Sequence, residues 1–277
     1  MAIQTPVPCQ AIEATLKKKT AELNKLNSTP TGGGGPIVKP GHDRDPEREE
    51  RKKKLRSEIR GLDAKLTQCF VQNTPNSPLT VRFTSLFCDD QDDTEIGPIP
   101  EDDEPYLVVY SVNIPNLTNP VPDARAFKIG RFLGVDSGDR VNGAVNVWDT
   151  NGTPQRINDP NGVIILVAMM EEDSTGADLV RTAVQTAMPA VVATNLAAAA
   201  TDPEAFRVRL MEGMAGIIQG VAKAAIGSQD DRIGAIQQIR LTRDILNRVR
   251  RFGVHRFDLN FTSASARYTA TFQVQRA

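Results

Sequence analysis

Acidic residues are concentrated in three short segments of this 277-residue chain, and carboxylates at such density suit a bound cation. Residues 89–104 contain nine Asp or Glu side chains and no Lys or Arg, and further acids occur at 171–173 and 230–231. Calcium prefers about six to eight oxygen ligands, mostly carboxylates and carbonyls. Because the formal net charge of the whole chain is only −1, the local acidic block favours a cation site over an anionic partner. Loops whose acids are simply solvated are the alternative.

Paired carboxylates also occur in hydrolases, but the other motifs expected of an active site are missing from the sequence. There is no Gly-x-Ser-x-Gly motif, and the GGGGP segment lacks the Lys and Ser/Thr of a phosphate-binding loop. The only histidines are His42 and His255. The balanced charge provides no overall basic field for nucleic acid. We therefore predict a protein that is not an enzyme, has no catalytic residues and does not bind nucleic acid.

The three cysteines, Cys9, Cys69 and Cys88, do not have the spacing of a zinc site. Cys9 begins one predicted helix and Cys69 ends the next, so an antiparallel hairpin would bring both to its base. A disulfide there is expected to add about 3–4 kcal/mol by restricting the unfolded chain, and two reduced, buried cysteines are the alternative. A bridge favours an oxidising location. The bridge therefore predicts an extracytoplasmic or secreted protein although no secretory signal is visible, and export by another route or a signal trimmed from the sequence would reconcile the two.

The hairpin itself is predicted from apolar residues at helical spacing in 9–27 and 46–71. The apolar stripes consist of Ile12, Leu16, Leu23 and Leu26 in the first helix, and of Leu55, Ile59, Leu62, Leu66 and Phe70 in the second. The segment between them contains four consecutive glycines and three prolines and cannot continue a helix. Residues 1–76 therefore form a helical hairpin, which resembles the two-cysteine hairpins of exported bacterial proteins. A spacer or a dimerisation stalk is the role that follows from such a coiled coil.

From residue 77 the pattern changes to short runs of β-branched and aromatic residues, which predict strands. The predicted strands are 79–88, 105–114, 126–133, 143–148, 162–170, 235–242, 254–262 and 266–275. Many short strands with polar loops between them favour an antiparallel β-sandwich. Residues 175–227 interrupt them with two helices, and a further helix is predicted at 242–251. The prediction is an α+β protein with a helical hairpin at 1–76 and a sandwich at 77–277 that carries an inserted helix pair.

The order of strands and acidic loops resembles that of C2 domains. In those domains a strand, an acidic loop and a strand beginning near a Pro-Tyr pair follow one another, as in SLFCDDQDDTEIGPIPEDDEPYLVV of this chain. A later hydrophobic strand, acidic loop and Asp-Asp-x-Ile-Gly turn match VIILVAMMEEDS and DDRIGAIQQIRL. The resemblance covers roughly 78–175 and 229–277, and implies a sandwich that binds calcium between loops at one end. The ligands that it implies are Asp89, Asp93, Glu104, Glu171, Asp173 and Asp231.

The function that follows from this resemblance is a binding module in which calcium bridges to a membrane surface or to a partner protein. The alternative is a structural component, or a delivered effector or toxin, of a bacterial secretion or injection system. In that alternative the inserted helices at 175–227 are membrane-active. The other expectation for the same helices is that they pack on one face of the sandwich.

Overall fold

The computed structural model has an α+β fold, as the sequence predicts. It describes residues 5–28, 46–73, 77–91, 104–114, 123–148, 154, 156–157, 159–171, 176–224, 232–264 and 266–277. Contacts divide the chain into two compact units. The first consists of Met1–Pro75 with Arg250–Gly253, and the second of Asn76–Val249 with Val254–Ala277.

The first unit contains the predicted helical hairpin, built from α1 (Gln10–Ser28) and α2 (Pro46–Asn73). Its apolar core is small and lies at the base, where Cys9, Leu66 and Phe70 are buried together. The core residues that pack around them include Ile12, Leu16 and Cys69. The apolar side chains of α1 are only half-buried, because a two-helix hairpin covers just one side of each helix.

The predicted disulfide joins Cys9 to Cys69, with 5.8 Å between their Cα atoms. Asn73 lies one turn beyond Cys69, and its Nδ2 donates a hydrogen bond of 2.9 Å to the Cys69 carbonyl. The third cysteine, Cys88, is a buried free thiol in the second unit. The bridge therefore closes the base of the hairpin, as the sequence predicts.

The second unit contains eight strands in two antiparallel sheets, ordered β4-β1-β8-β7 and β3-β2-β5-β6. In chain order the strands are β1 (Leu79–Gln91), β2 (Pro105–Asn113), β3 (Asp123–Ile129), β4 (Arg140–Asn146), β5 (Val163–Glu171), β6 (Arg232–Ile239), β7 (Val254–Thr262) and β8 (Ala266–Arg276). All eight predicted strands are present within a few residues of the expected bounds. The last two form the predicted hairpin.

Strands β2 and β5 are buried along nearly their whole length because both of their faces are covered. Alternate residues of a strand point to opposite faces of its sheet. Leu107 and Ile165 pack in the core between the two sheets, whereas Tyr106 and Ile164 pack in a second core beneath helices. This part of the chain therefore has three layers: one sheet, the second sheet and the helices. Because both faces of the middle sheet are covered, the sequences of β2 and β5 are continuously apolar rather than alternating.

The helices over this second core are α3 (Ala177–Thr201) and α4 (Pro203–Ala224). Their buried faces include Met188 and Met214, so the pair packs on one face of the sandwich. Asp202 caps α4, because its Oδ1 accepts a 2.9 Å hydrogen bond from the backbone N–H of Ala205. A shorter helix, α5 (Arg243–Phe252), follows β6.

A glutamine of α3 closes the outer edge of β3. The Gln185 Oε1 accepts a hydrogen bond of 2.6 Å from the Ala126 backbone N–H, and its Nε2 lies 3.4 Å from the Ala124 carbonyl. Edge strands otherwise present unpaired peptide groups that promote pairing with other chains. The inserted helices therefore both cover a sheet face and satisfy one of its edges. None of the described helices combines the length and the apolar character needed to cross a membrane.

Candidate functional site

Strand register brings several acidic positions to the same end of the sandwich. Within one sheet, Pro105 of β2 pairs with Glu171 of β5, and Met170 pairs with Arg232 at the start of β6. Glu104 directly precedes Pro105, so it lies at the same end of the sheet as Glu171. The predicted acidic loops therefore leave from, or return to, neighbouring strand ends.

The segment that follows β3 connects this end of the sheet to the end of β1 in the other sheet. The Phe132 backbone N–H donates to the Pro105 carbonyl at 3.0 Å, and the Gly138 N–H donates to the Cys88 carbonyl at 2.9 Å. Cys88 directly precedes Asp89, so this connection places the end of β1 at the same end of the sandwich as Glu104.

The acids of β1 are held by partners on β8. The Thr269 hydroxyl donates to an oxygen of Asp89 at 2.7 Å, and Arg267 forms an ion pair of 2.8 Å with Asp90. Thr269 also contacts the Asn260 side-chain oxygen at 3.1 Å. These bonds direct the Asp89 carboxylate along the outer face of its own sheet.

Glu104 forms an ion pair with Arg131, which lies in the segment after β3. The Glu104 side chain is 23% exposed, so the pair is only partly screened by water. Glu171 is half-buried at the end of β5. A cation that recruited Glu104 would have to displace the Arg131 guanidinium first.

The other three predicted calcium ligands, Asp93, Asp173 and Asp231, lie outside the described residues. Within the part of the chain that the structure describes, no group of three or more His, Cys, Asp or Glu side chains is arranged to hold a metal ion. Asp89, Glu104 and Glu171 therefore do not form a calcium cage by themselves, given the six to eight or so oxygens that calcium requires.

The outer face of the β4-β1-β8-β7 sheet carries a polar network whose residues are not among the predicted site residues. The Thr271 hydroxyl donates to Asp258 at 2.8 Å, Arg256 binds the same carboxylate at 2.7 Å, and Arg140 donates to the Ser85 hydroxyl at 3.2 Å. Burial acts to raise the pKa of Asp258, but the bonds from Arg256 and Thr271 outweigh it and hold the pKa below its ordinary value. Polar residues at every second position of β7 and β8 are the signal that predicts such a face.

No protein-family model, curated protein or solved structure matches this chain. The C2 resemblance therefore stays a prediction that rests on the quoted motifs.

Proposed function

We propose that this chain is a non-enzymatic binding module that docks to a partner protein or a membrane surface through the acidic end of its sandwich. The observation that carries the proposal is the strand register, which brings the positions of Glu104 and Glu171 together. The end of β1, with Asp89, joins them through the segment that follows β3. Loop clusters at one end of a rigid sandwich are a common location for recognition sites.

Two carboxylates of the second unit, Asp178 and Asp258, have a lowered rather than a raised pKa. A carboxyl group that acts as a general acid needs a raised pKa. The pKa of Asp258 is held below its ordinary value, and a hydrogen bond from Lys128 is the largest cause of the lowered pKa of Asp178. Asp89 and Glu104 are occupied by Thr269 and Arg131. A partner that docks here would exchange its own polar or charged groups for these intramolecular contacts.

Calcium is the part of this proposal that depends on residues beyond the described ones. The carboxylates of Asp93, Asp173 and Asp231 would have to join those of Glu104 and Glu171. Titration calorimetry of the full chain with calcium tests this requirement. We expect a binding heat that disappears in the double variant Glu104→Gln/Glu171→Gln.

The matched control is Glu212→Gln/Asp244→Asn, which removes the same charge from exposed positions of α4 and α5. It is expected to bind calcium like the unaltered chain. If millimolar calcium gives neither heat nor a thermal shift with the unaltered chain, the metal is removed from the proposal. Docking then depends on direct ion pairs between the carboxylates of the acidic end and basic groups of a partner.

A further inference from the structure

Helix α2 carries a row of basic side chains on one exposed face. Lys53, Arg56 and Arg60 are spaced by three and four residues, which places them on the same side of a helix. All three are exposed. We call these three residues the basic stripe.

Basic side chains outnumber acidic ones along the basic stripe, and Glu49, which lies one turn before Lys53, pairs with Lys52 at 2.8 Å. Residues 51–65 contain seven basic and two acidic side chains. Both acids are already engaged, since Glu58 pairs with Lys19 at 2.8 Å and Asp63 pairs with Arg251 at 2.6 Å. In the described part of the chain, no carboxylate forms an ion pair with a member of the stripe.

An exposed aromatic ring lies at the end of the stripe nearest the disulfide. Asp63 and Thr67 continue the same helix face by further steps of three and four residues. The Arg251 guanidinium donates to Asp63 at 2.6 Å and to the Thr67 hydroxyl at 3.1 Å. It also lies 4.6 Å above the ring of Phe252, which is 60% exposed. Arg251 and Phe252 belong to the same compact unit as the hairpin.

We propose that this face of the hairpin docks to an anionic lipid bilayer. Basic side chains that flank an exposed aromatic ring are the combination that binds at the headgroup layer of such membranes. The face from Lys53 to Thr67 is about 21 Å long at the helical rise, so several headgroups lie along it. Phe252 adds a short apolar contact that an ion pair with an acidic protein does not require.

This surface is distinct from the acidic end of the sandwich and does not require calcium. It adds a partner for the hairpin, and it stands whether or not the acidic end binds a ligand. The test therefore uses the full chain with its disulfide intact, in the presence of EDTA.

Co-sedimentation with vesicles tests the proposal directly. We expect binding to vesicles of phosphatidylcholine with phosphatidylglycerol, no binding to phosphatidylcholine alone, and progressive loss as salt is added. The triple variant Lys53→Glu/Arg56→Glu/Arg60→Glu is expected to bind the anionic vesicles at least about 100-fold more weakly.

The matched control is Lys18→Glu/Lys54→Glu/Lys65→Glu, which makes the same change of charge at exposed positions outside the stripe. It is expected to retain clearly tighter binding than the stripe variant. Phe252→Ala is expected to weaken binding several-fold, whereas Leu179→Ala, at a residue 58% exposed on α3, leaves it unchanged. Helical circular dichroism confirms that each variant is folded.

Three outcomes overturn the inference. One is an absence of binding to the anionic vesicles at low salt. Another is an equal loss in the two triple variants, which assigns the effect to total charge. The third is binding that appears only when calcium replaces EDTA and that is lost in Glu104→Gln/Glu171→Gln but not in the stripe variant, which assigns the membrane contact to the acidic end of the sandwich.

Discussion

The hairpin and the sandwich are stabilised in different ways. Away from its base, the described helices of the hairpin bury Leu55 and are joined by polar contacts, such as the pair between Arg51 and Glu22 at 2.8 Å and the 3.2 Å bond from Arg48 to the Leu26 carbonyl. Exposed ion pairs contribute little to stability, so the hairpin depends mainly on the disulfide and the small apolar core at its base. In the sandwich, β2 and β5 are buried on both faces. One region therefore depends largely on a covalent link, and the other on apolar packing.

The largest effect is expected from removing an aromatic ring from the sandwich core. Phe83 is fully buried, and its ring centroid lies 5.6 Å from that of Phe272. Phe83→Ala should lower the free energy of unfolding by about 3–5 kcal/mol, because it removes apolar burial and leaves a cavity. Urea denaturation measures the change. Phe252→Ala, at an exposed ring, is the control, and a similar loss in both variants would contradict the division between core and surface.

The next effect is expected from the disulfide, and it should be confined to the hairpin. Cys9→Ser/Cys69→Ser should destabilise the hairpin by about 3–4 kcal/mol, because the unfolded chain regains the freedom of a long loop. Hydrogen exchange should then accelerate in α1 while β5 stays protected. Cys88→Ala changes the third cysteine without touching the bridge, and should leave α1 protected. Equal loss of protection in α1 and β5 would show that the two regions do not depend on separate interactions.

A smaller effect is expected from Asp258 on the outer face of the sandwich. The pKa of Asp258 in the folded protein is lowered from the ordinary value of 3.8. The ionised carboxylate therefore stabilises the fold above pH 3.8, and this contribution is lost as the pH falls through the folded pKa. Asp258→Asn should cost less than about 1 kcal/mol at neutral pH, because the group is half-exposed. Denaturation curves from neutral pH to about pH 2 should show the two proteins converging. A difference that grows with acidity would refute the assignment.

The smallest expected effect concerns the alternative of a membrane-active helix pair. The apolar faces of α3 and α4, including Met188 and Met214, are buried against β2 and β5. We therefore expect the full chain to release no dye from anionic vesicles, even where the basic stripe binds them. Leakage that is lost when residues 176–226 are deleted would favour the effector alternative, because α3 and α4 would then have to leave the sheet on which they pack.

Local patterns predicted the elements well. Apolar residues at helical spacing located α1 and α2, and the alternation of polar and apolar residues located β7 and β8. Each of these patterns lies within a short stretch of sequence. Helix geometry predicted that Cys9 and Cys69 lie together at the base, and the structure joins them in a disulfide rather than leaving two reduced thiols. The two-sided burial of β2 and β5 did not follow, since a continuous apolar run does not reveal which layers cover it. The calcium ligands also could not be derived, because a cage depends on how separate loops are placed relative to one another.

The fold class could be predicted from the sequence: an α+β chain with a helical hairpin and an antiparallel sandwich that carries inserted helices. Residue spacing, helix capping and strand propensity depend on residues close together in the sequence, so they can be recognised without knowledge of the tertiary structure. Tertiary structure decided which side chains meet. It placed Glu104 against Arg131, Asp89 against Thr269, and Arg251 between Asp63 and Phe252. Most of these contacts join residues that are far apart in the sequence, so they depend on how the strands and helices pack.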